Sequence, residues 1–297
     1  MRKLLKHDLK SVFNGWWISS LSVLAFFIFG TVCMKEITII EQKYQPILYG
    51  DQVTSMFAAQ PTTGERILAV LCSIGLMLTF VAAAAYIILN LILVLRRYYT
   101  NLFTDQGYLT FTLPVSRMQI LFSKLMMGFI YMLATSLVVG IGVVGFSVFG
   151  TSTEFVNTEL LKQVSDFFKE VYNKIGGMMF VYIAEVILCG ISSLICTIMF
   201  YYSCITVGSV LVKKFKILVA IGIYYIGNMV ISFATWMFIL VFIDSSFLNR
   251  LGDITDQALI HLSANALLLL VFGAIALIAA TLYSFNLHLL NKKLNLA

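Results

Sequence analysis

The sequence predicts an all-α polytopic membrane protein with six transmembrane helices. Hydrophobic residues make up 60% of its 297 residues and charged residues 11%, and the mean hydropathy is +0.95. Soluble domains contain about 45–50% apolar and about 25% charged residues, so one water-soluble core cannot absorb this much apolar surface. Apolar runs long enough to span a bilayer core about 30 Å thick recur along the whole chain. The sequence therefore predicts that residues 1–297 form a single membrane domain.

The apolar runs and their flanks predict the elements in order. Residues 1–15 place apolar and basic side chains on opposite faces, which predicts an amphipathic helix at the membrane surface, either an anchor or a lever. Residues 35–66 form an outer loop. A capping box at residues 151–154 predicts the start of a second interfacial helix, which leads into the fourth span. The six spans are predicted at 16–34, 67–95, 125–149, 178–203, 217–243 and 264–283.

The charges of the loops predict that both termini are cytoplasmic. Thirteen of the 20 Lys and Arg residues lie on the side of the termini, together with only Asp8 and Asp105. The other seven share the opposite side with eleven acidic residues. Basic loops stay in the cytoplasm, so the chain is oriented in the cell membrane accordingly. Topology and contact with the lipid bilayer thus account for the net charge of +6, and no nucleic-acid partner is expected.

The loop at residues 96–124, between spans two and three, is more apolar than a connector requires. Exposed apolar clusters of this kind are typical of docking surfaces. Asp105 can cap a short element, Pro114 can end it, and Ser116 with Gln119 forms a capping box that begins the next helix. The preceding span is long enough either to tilt or to project from the membrane. The side chains expected to be exposed are Tyr98, Tyr99, Leu102, Phe103, Tyr108, Leu109, Phe111 and Leu113.

This loop resembles that of a known family. The runs NLF at 101–103, DQGYL at 105–109 and FTLPVS at 111–116 are similar to those of the six-span permease subunits of type-two ABC exporters in Gram-positive bacteria. Gln106 departs from the second acidic residue expected there. In that family the loop is a coupling helix seated in a groove of the ATPase subunit. The resemblance implies an ATPase-coupling role for Asn101, Leu102, Phe103, Asp105, Gly107, Tyr108, Leu109, Phe111, Leu113 and Pro114.

The resemblance also implies partners. Two copies of the chain, or one copy and a paralogue, would form the translocation pathway, and a separate cytoplasmic ABC ATPase would hold ATP and Mg²⁺. This chain lacks the G-x-x-x-x-G-K-[ST] phosphate loop, so we expect no ATPase activity of its own. Two other functions stay open. A membrane scaffold or signalling subunit would use the same loop to bind a partner, whereas a secondary transporter should show two repeated halves with several buried ionisable groups.

The remaining motifs predict no catalytic residue, cofactor or metal site. The five cysteines form no C-x-x-C pair, and we expect unpaired thiols, including Cys33 and Cys72. The three histidines are isolated in the sequence. The run G-I-G-V-V-G at 140–145 matches a dinucleotide fingerprint, but it lies inside the third span with no preceding strand. That position favours close helix packing instead.

Glu185 is the one acidic residue well inside a span. Its predicted helix face continues through small and polar residues at Cys189, Ser192, Cys196 and Ser203, so it should pack on protein or line a cavity rather than face lipid. Two interpretations of Glu185 remain open. It is either a packing residue held by hydrogen bonds or a polar group in the transport pathway.

Overall fold

A computed structural model describes residues 2–49, 61–104, 107, 112, 115–152, 154, 156–212, 214–244 and 257–292. Six helices in this part of the chain are long and apolar enough to cross a membrane, which agrees with the predicted number of six and indicates a multi-pass membrane protein. The described residues form seven helices: α1 (Arg2–Tyr49), α2 (Thr63–Phe103), α3 (Arg117–Gly150), α4 (Thr158–Ile175), α5 (Met178–Leu211), α6 (Lys216–Asp244) and α7 (Gln257–Lys292).

The first helix is longer than the sequence predicted. Residues 2–49 are continuous, so residues 1–15 are not a separate element from the first span, and the outer loop expected from residue 35 begins as helix. Between residues 2 and 45 the chain has no proline, and Gly15 and Gly30 are its only glycines. Few local signals therefore stop the helix where its apolar run starts or ends.

The loop predicted at residues 96–124 is shorter in the structure, because helix α2 extends into it. The helix has 41 residues, which corresponds to about 62 Å and exceeds a bilayer core of about 30 Å. It continues to Phe103, and α3 already begins at Arg117. The Ser116 hydroxyl accepts a hydrogen bond from the Gln119 N–H at 3.3 Å, which confirms the predicted helix start. The connecting loop is thus residues 104–116.

Helix α4 begins later than the predicted capping box. The Asn157 side chain accepts a hydrogen bond from the Leu160 N–H at 2.9 Å and caps the helix. The predicted box at residues 151–154 was wrong, because those residues lie in the connection that precedes the cap. An amide side chain caps a helix as well as a hydroxyl does. Asn157 also lies directly before the amphipathic stripe of α4.

The chain divides into two compact units, and the first comprises residues 9–94 and 130–176. Its core contains Val23, Phe27 and Tyr86. The Tyr86 and Ser20 hydroxyls are hydrogen-bonded at 2.8 Å, and the Ser19 hydroxyl donates to the Asn90 side-chain oxygen at 3.5 Å. Polar side chains therefore join α1 to α2 within an apolar surround, as expected for helix association in a membrane.

Close packing explains one glycine of the dinucleotide-like run in α3. A Cβ atom added to Gly142 would lie 2.3 Å from the Phe27 ring, so only glycine allows α1 and α3 to approach this closely. In the same unit, Cys33 and Cys72 are free cysteines with buried side chains.

The second unit comprises residues 1–8, 95–129 and 177–297. Helices α5 and α7 are joined by a hydrogen bond of 2.8 Å from the Asn286 amide to the Ser203 hydroxyl. The Cys189 thiol lies 3.8 Å from the Leu268 carbonyl oxygen, farther along the same helix pair. The small, polar face predicted on the fourth span therefore packs against protein. This unit also contains both ends of the loop at residues 104–116.

Candidate functional site

Asp8 lies at the centre of a buried polar cluster in the second unit. Its side chain accepts hydrogen bonds from the Lys124 ammonium at 2.5 Å and from the Asn101 amide at 3.1 Å. The Arg97 guanidinium lies 3.4 Å from the same carboxylate. These side chains come from α1, α2 and α3. We refer to Asp8, Arg97, Asn101 and Lys124 as the Asp8 cluster.

The charges at the centre of the Asp8 cluster are sequestered from solvent. Asp8 and Lys124 are each 1% exposed. Removing a charge from water costs several kcal/mol, and a partner offsets this only with good geometry and further hydrogen bonds. Asn101 and Arg97 supply such donors to Asp8. Separating the ends of α1, α2 and α3 would leave these charges unpaired, so the cluster favours movement of the three ends as one body.

Two stacked tyrosines adjoin the Asp8 cluster. The Tyr98 and Tyr202 rings lie 3.9 Å apart with an interplanar angle of 4°, and both side chains are fully buried. The Tyr98 hydroxyl is hydrogen-bonded to Thr206 at 2.8 Å. The Tyr202 hydroxyl donates to the Lys124 carbonyl oxygen at 3.0 Å. This tyrosine pair therefore connects α5 to the end of α2 and the start of α3.

The structure corrects part of the predicted docking surface. Tyr98 and Leu102 have no exposed surface, and Asn101 is 7% exposed, so these side chains form the buried root of the loop. Phe103 is half-buried and its ring packs near Tyr98 and Tyr99. The sequence alone showed apolar residues beyond the predicted span but not the helices that cover them. The predicted coupling residues Asp105, Tyr108, Leu109, Phe111, Leu113 and Pro114 lie outside the described residues.

Gly107 occupies a position where a side chain would collide with the backbone. Its N–H donates to the Thr104 carbonyl oxygen at 2.7 Å, just beyond the end of α2. A Cβ atom at this position would lie 2.7 Å from the Leu102 carbonyl oxygen, a backbone atom that cannot rotate away. Gly107 therefore restricts the path by which the chain leaves α2.

The far end of the loop is attached to α7. The Arg117 guanidinium donates to the Leu290 carbonyl oxygen. About two turns earlier in α7, the Tyr283 hydroxyl donates a second hydrogen bond, to the Met118 carbonyl oxygen at 3.2 Å. Both ends of residues 104–116 are thus fixed to helices of the second unit. This arrangement is suited to transmitting force.

Among the described residues, no three His, Cys, Asp or Glu side chains form a group that could hold a metal ion.

Sequence reasoning missed Asp8 as a candidate residue. It was counted only as a charge, although it shares the stripe of Leu5, Leu9 and Val12 at steps of three and four residues. An acid on the apolar face of an otherwise basic helix requires a buried partner. That pattern was a usable signal for Asp8, whereas nothing local identified Lys124 as the partner.

Glu185 lies on α5, where its Oε2 atom is buried and has no hydrogen-bond partner among the described residues. The Asn265 side-chain oxygen on α7 is also buried and has no hydrogen-bond partner among the described residues. The Cys189–Leu268 contact lies about one turn beyond both residues, so Glu185 and Asn265 occupy similar levels of this parallel helix pair. The described contacts give no support to the interpretation of Glu185 as a hydrogen-bonded packing residue.

We expect Glu185→Leu to leave the free energy of unfolding unchanged or slightly higher, because the substitution removes an unpartnered buried oxygen. Asn90→Leu is the matched control, since the Asn90 amide donates to the Tyr86 carbonyl oxygen at 2.8 Å and is 1% exposed. The free energy of unfolding of the Asn90→Leu variant should fall by about 1–3 kcal/mol. Thermal unfolding of the detergent-purified chain measures both. A loss at Glu185→Leu as large as that at Asn90→Leu would assign Glu185 to packing.

Comparison with family models, with characterised proteins and with solved structures gives no match for this chain.

Proposed function

We propose that this chain is the membrane-spanning permease subunit of an ATP-driven ABC exporter in the cell membrane, with both termini in the cytoplasm. Two six-span chains form the translocation pathway. A separate cytoplasmic ABC ATPase docks on residues 104–116 of each chain and supplies the ATP and Mg²⁺ sites, because this chain has no phosphate loop.

The attachment of the loop at both ends is the observation that best supports the proposal. Asn101 binds the Asp8 carboxylate before the loop, and Arg117 binds the Leu290 carbonyl oxygen after it. A mobile linker needs neither contact. A segment that receives force from another subunit needs a rigid connection to the helices that it moves, and the Asp8 cluster with the tyrosine pair supplies one.

The proposed mechanism follows from these contacts. ATP-driven closure of the two ATPase subunits displaces residues 104–116. The Asp8 cluster passes the displacement to α1, α2 and α3, and the tyrosine pair passes it to α5. Helix α5 carries Glu185, which we place in the transport pathway. Rigid helices then convert a movement at the loop into a reorientation of the spans.

Charged substitutions in the loop test the docking step. We expect Tyr108→Glu and Phe111→Glu to lose the co-purifying ATPase and its activity, because a carboxylate in an apolar contact must be desolvated without a partner. Phe215→Glu is the matched control, since Phe215 is a 78% exposed aromatic residue in the turn between α5 and α6. Affinity purification followed by an ATPase assay measures the effect.

The outcomes separate the competing functions. Retention of the ATPase by both loop variants would show that the docking assignment is wrong, and loss in the Phe215→Glu control would show a non-specific effect. A bound ATPase whose hydrolysis no transported compound stimulates would favour a scaffold or signalling subunit. Transport by the chain without any ATPase would favour a secondary transporter.

A further inference from the structure

We propose that helix α4 lies in the plane of the membrane interface, with its apolar face among the lipid chains at the surface where α3 ends and α5 begins. This inference does not depend on the proposed exporter function. It rests on the distribution of side chains around α4, on the exposure of its apolar face and on the attachment of its two ends.

The side chains of α4 divide completely between two faces. At 100° per residue, the eight apolar and aromatic residues occupy one arc of about 140°, and all ten polar residues occupy the remainder. None of the 18 residues of this helix is buried within the chain. The apolar arc consists of Leu160, Leu161, Val164, Phe167, Phe168, Val171, Tyr172 and Ile175.

The apolar face needs a partner that the described chain does not provide. Phe167 is 62% exposed and Phe168 is 49% exposed, and five residues of the arc exceed 40%. A contiguous apolar surface of this size is unfavourable in water, because the cost grows with the exposed apolar area. The hydrocarbon boundary of the bilayer can cover the whole arc along the length of the helix.

The attachment of both ends keeps α4 at the level of the membrane surface. At its start, the Asn157 N–H donates to the Val148 carbonyl oxygen of α3 at 2.8 Å, and the Asn157 amide donates to the Thr151 hydroxyl at 2.7 Å. At its end, only two residues, Gly176 and Gly177, separate α4 from α5. An 18-residue helix is about 27 Å long and cannot stand away from the surface when both ends join spans.

The polar face is suited to contact with water and lipid headgroups. Lys174 and Glu170 form an ion pair at 2.7 Å, and this hydrogen bond raises the pKa of Lys174 and lowers the pKa of Glu170. Both groups therefore stay charged at neutral pH. The helix carries three Lys against three Asp and Glu, a net charge of zero. Apolar burial rather than attraction to anionic lipid thus holds the helix in the interface.

Spin labelling of the full chain in vesicles tests this position. In a cysteine-free background, Phe167→Cys and Asn173→Cys place a nitroxide on the apolar and polar faces, and both sites are exposed. Vesicles of phosphatidylcholine alone, and vesicles with added phosphatidylglycerol, serve as the membranes. We expect the label at 167 to collide several-fold more with oxygen than with a water-soluble nickel chelate, and the label at 173 to show the reverse.

Each alternative gives a different result. Equal access of the nickel chelate to both labels would place α4 in water and overturn the proposal. A label at 167 that neither reagent reaches would indicate that protein, such as a second copy of the chain, covers the face. A result seen only with phosphatidylglycerol would overturn the apolar basis of the contact. Labels at Val164 and Phe168 check that the outcome belongs to the face rather than to one position.

Discussion

We expect Asp8→Ala to lower the free energy of unfolding by about 3–5 kcal/mol, because it leaves the Lys124 ammonium buried without its carboxylate. Lys124 is 1% exposed and cannot reach water without opening the unit. Lys6→Ala is the matched control, since it removes an exposed charge from the same helix. Denaturant unfolding in detergent micelles measures both variants.

A double variant separates the ion pair from other effects of the substitution. Asp8→Ala combined with Lys124→Met removes both charges, and replacement of a buried pair by apolar residues is often neutral. The double variant should therefore recover a large part of the stability lost by Asp8→Ala. If Asp8→Ala costs no more than Lys6→Ala, or if Lys124→Met adds further loss, the carboxylate and the ammonium do not stabilise each other as the geometry indicates.

Tyr202→Ala should lower the free energy of unfolding by a similar amount, about 3–5 kcal/mol, because it leaves a cavity at a fully buried position. The substitution removes the ring that stacks on Tyr98 at 3.9 Å and the hydroxyl that donates to the Lys124 carbonyl oxygen. Tyr202→Phe keeps the stack and loses only the hydroxyl, and should cost about 0.5–1.5 kcal/mol. The same unfolding measurement ranks the two variants.

The tyrosine pair also has an expected functional effect under the proposed exporter function. Tyr202→Phe keeps the stack, so it should retain transport coupled to the partner ATPase. Tyr202→Leu retains apolar volume but removes the stacked ring, and should weaken transport more than ATP hydrolysis. Equal transport in the two variants would show that the stacked pair contributes stability without transmitting force from the loop.

Much of the fold follows from local properties of the sequence. The lengths and spacing of the apolar runs identified the six helices in the described part of the chain that can cross a membrane. Ser116 begins α3 as predicted, because a hydroxyl that accepts a backbone N–H acts within one turn. The amphipathic stripe of α4 was also visible, since a helix of fixed period shows its faces in the sequence. The cap of that helix was misplaced because two polar residue patterns, at 151–154 and at Asn157, competed within seven positions.

The sequence by itself determined the class of this protein, its six apolar helices and the unusual loop after the second of them, because each depends on neighbouring residues and the fixed rise of a helix. Only the tertiary structure decided that Tyr98, Asn101 and Leu102 are the buried root of that loop rather than its exposed surface. It also paired Asp8 with Lys124, which lies 116 residues away. Burial depends on which helices cover a residue, and a buried charge is tolerated only where a distant side chain meets it. No local period in the sequence contains that information.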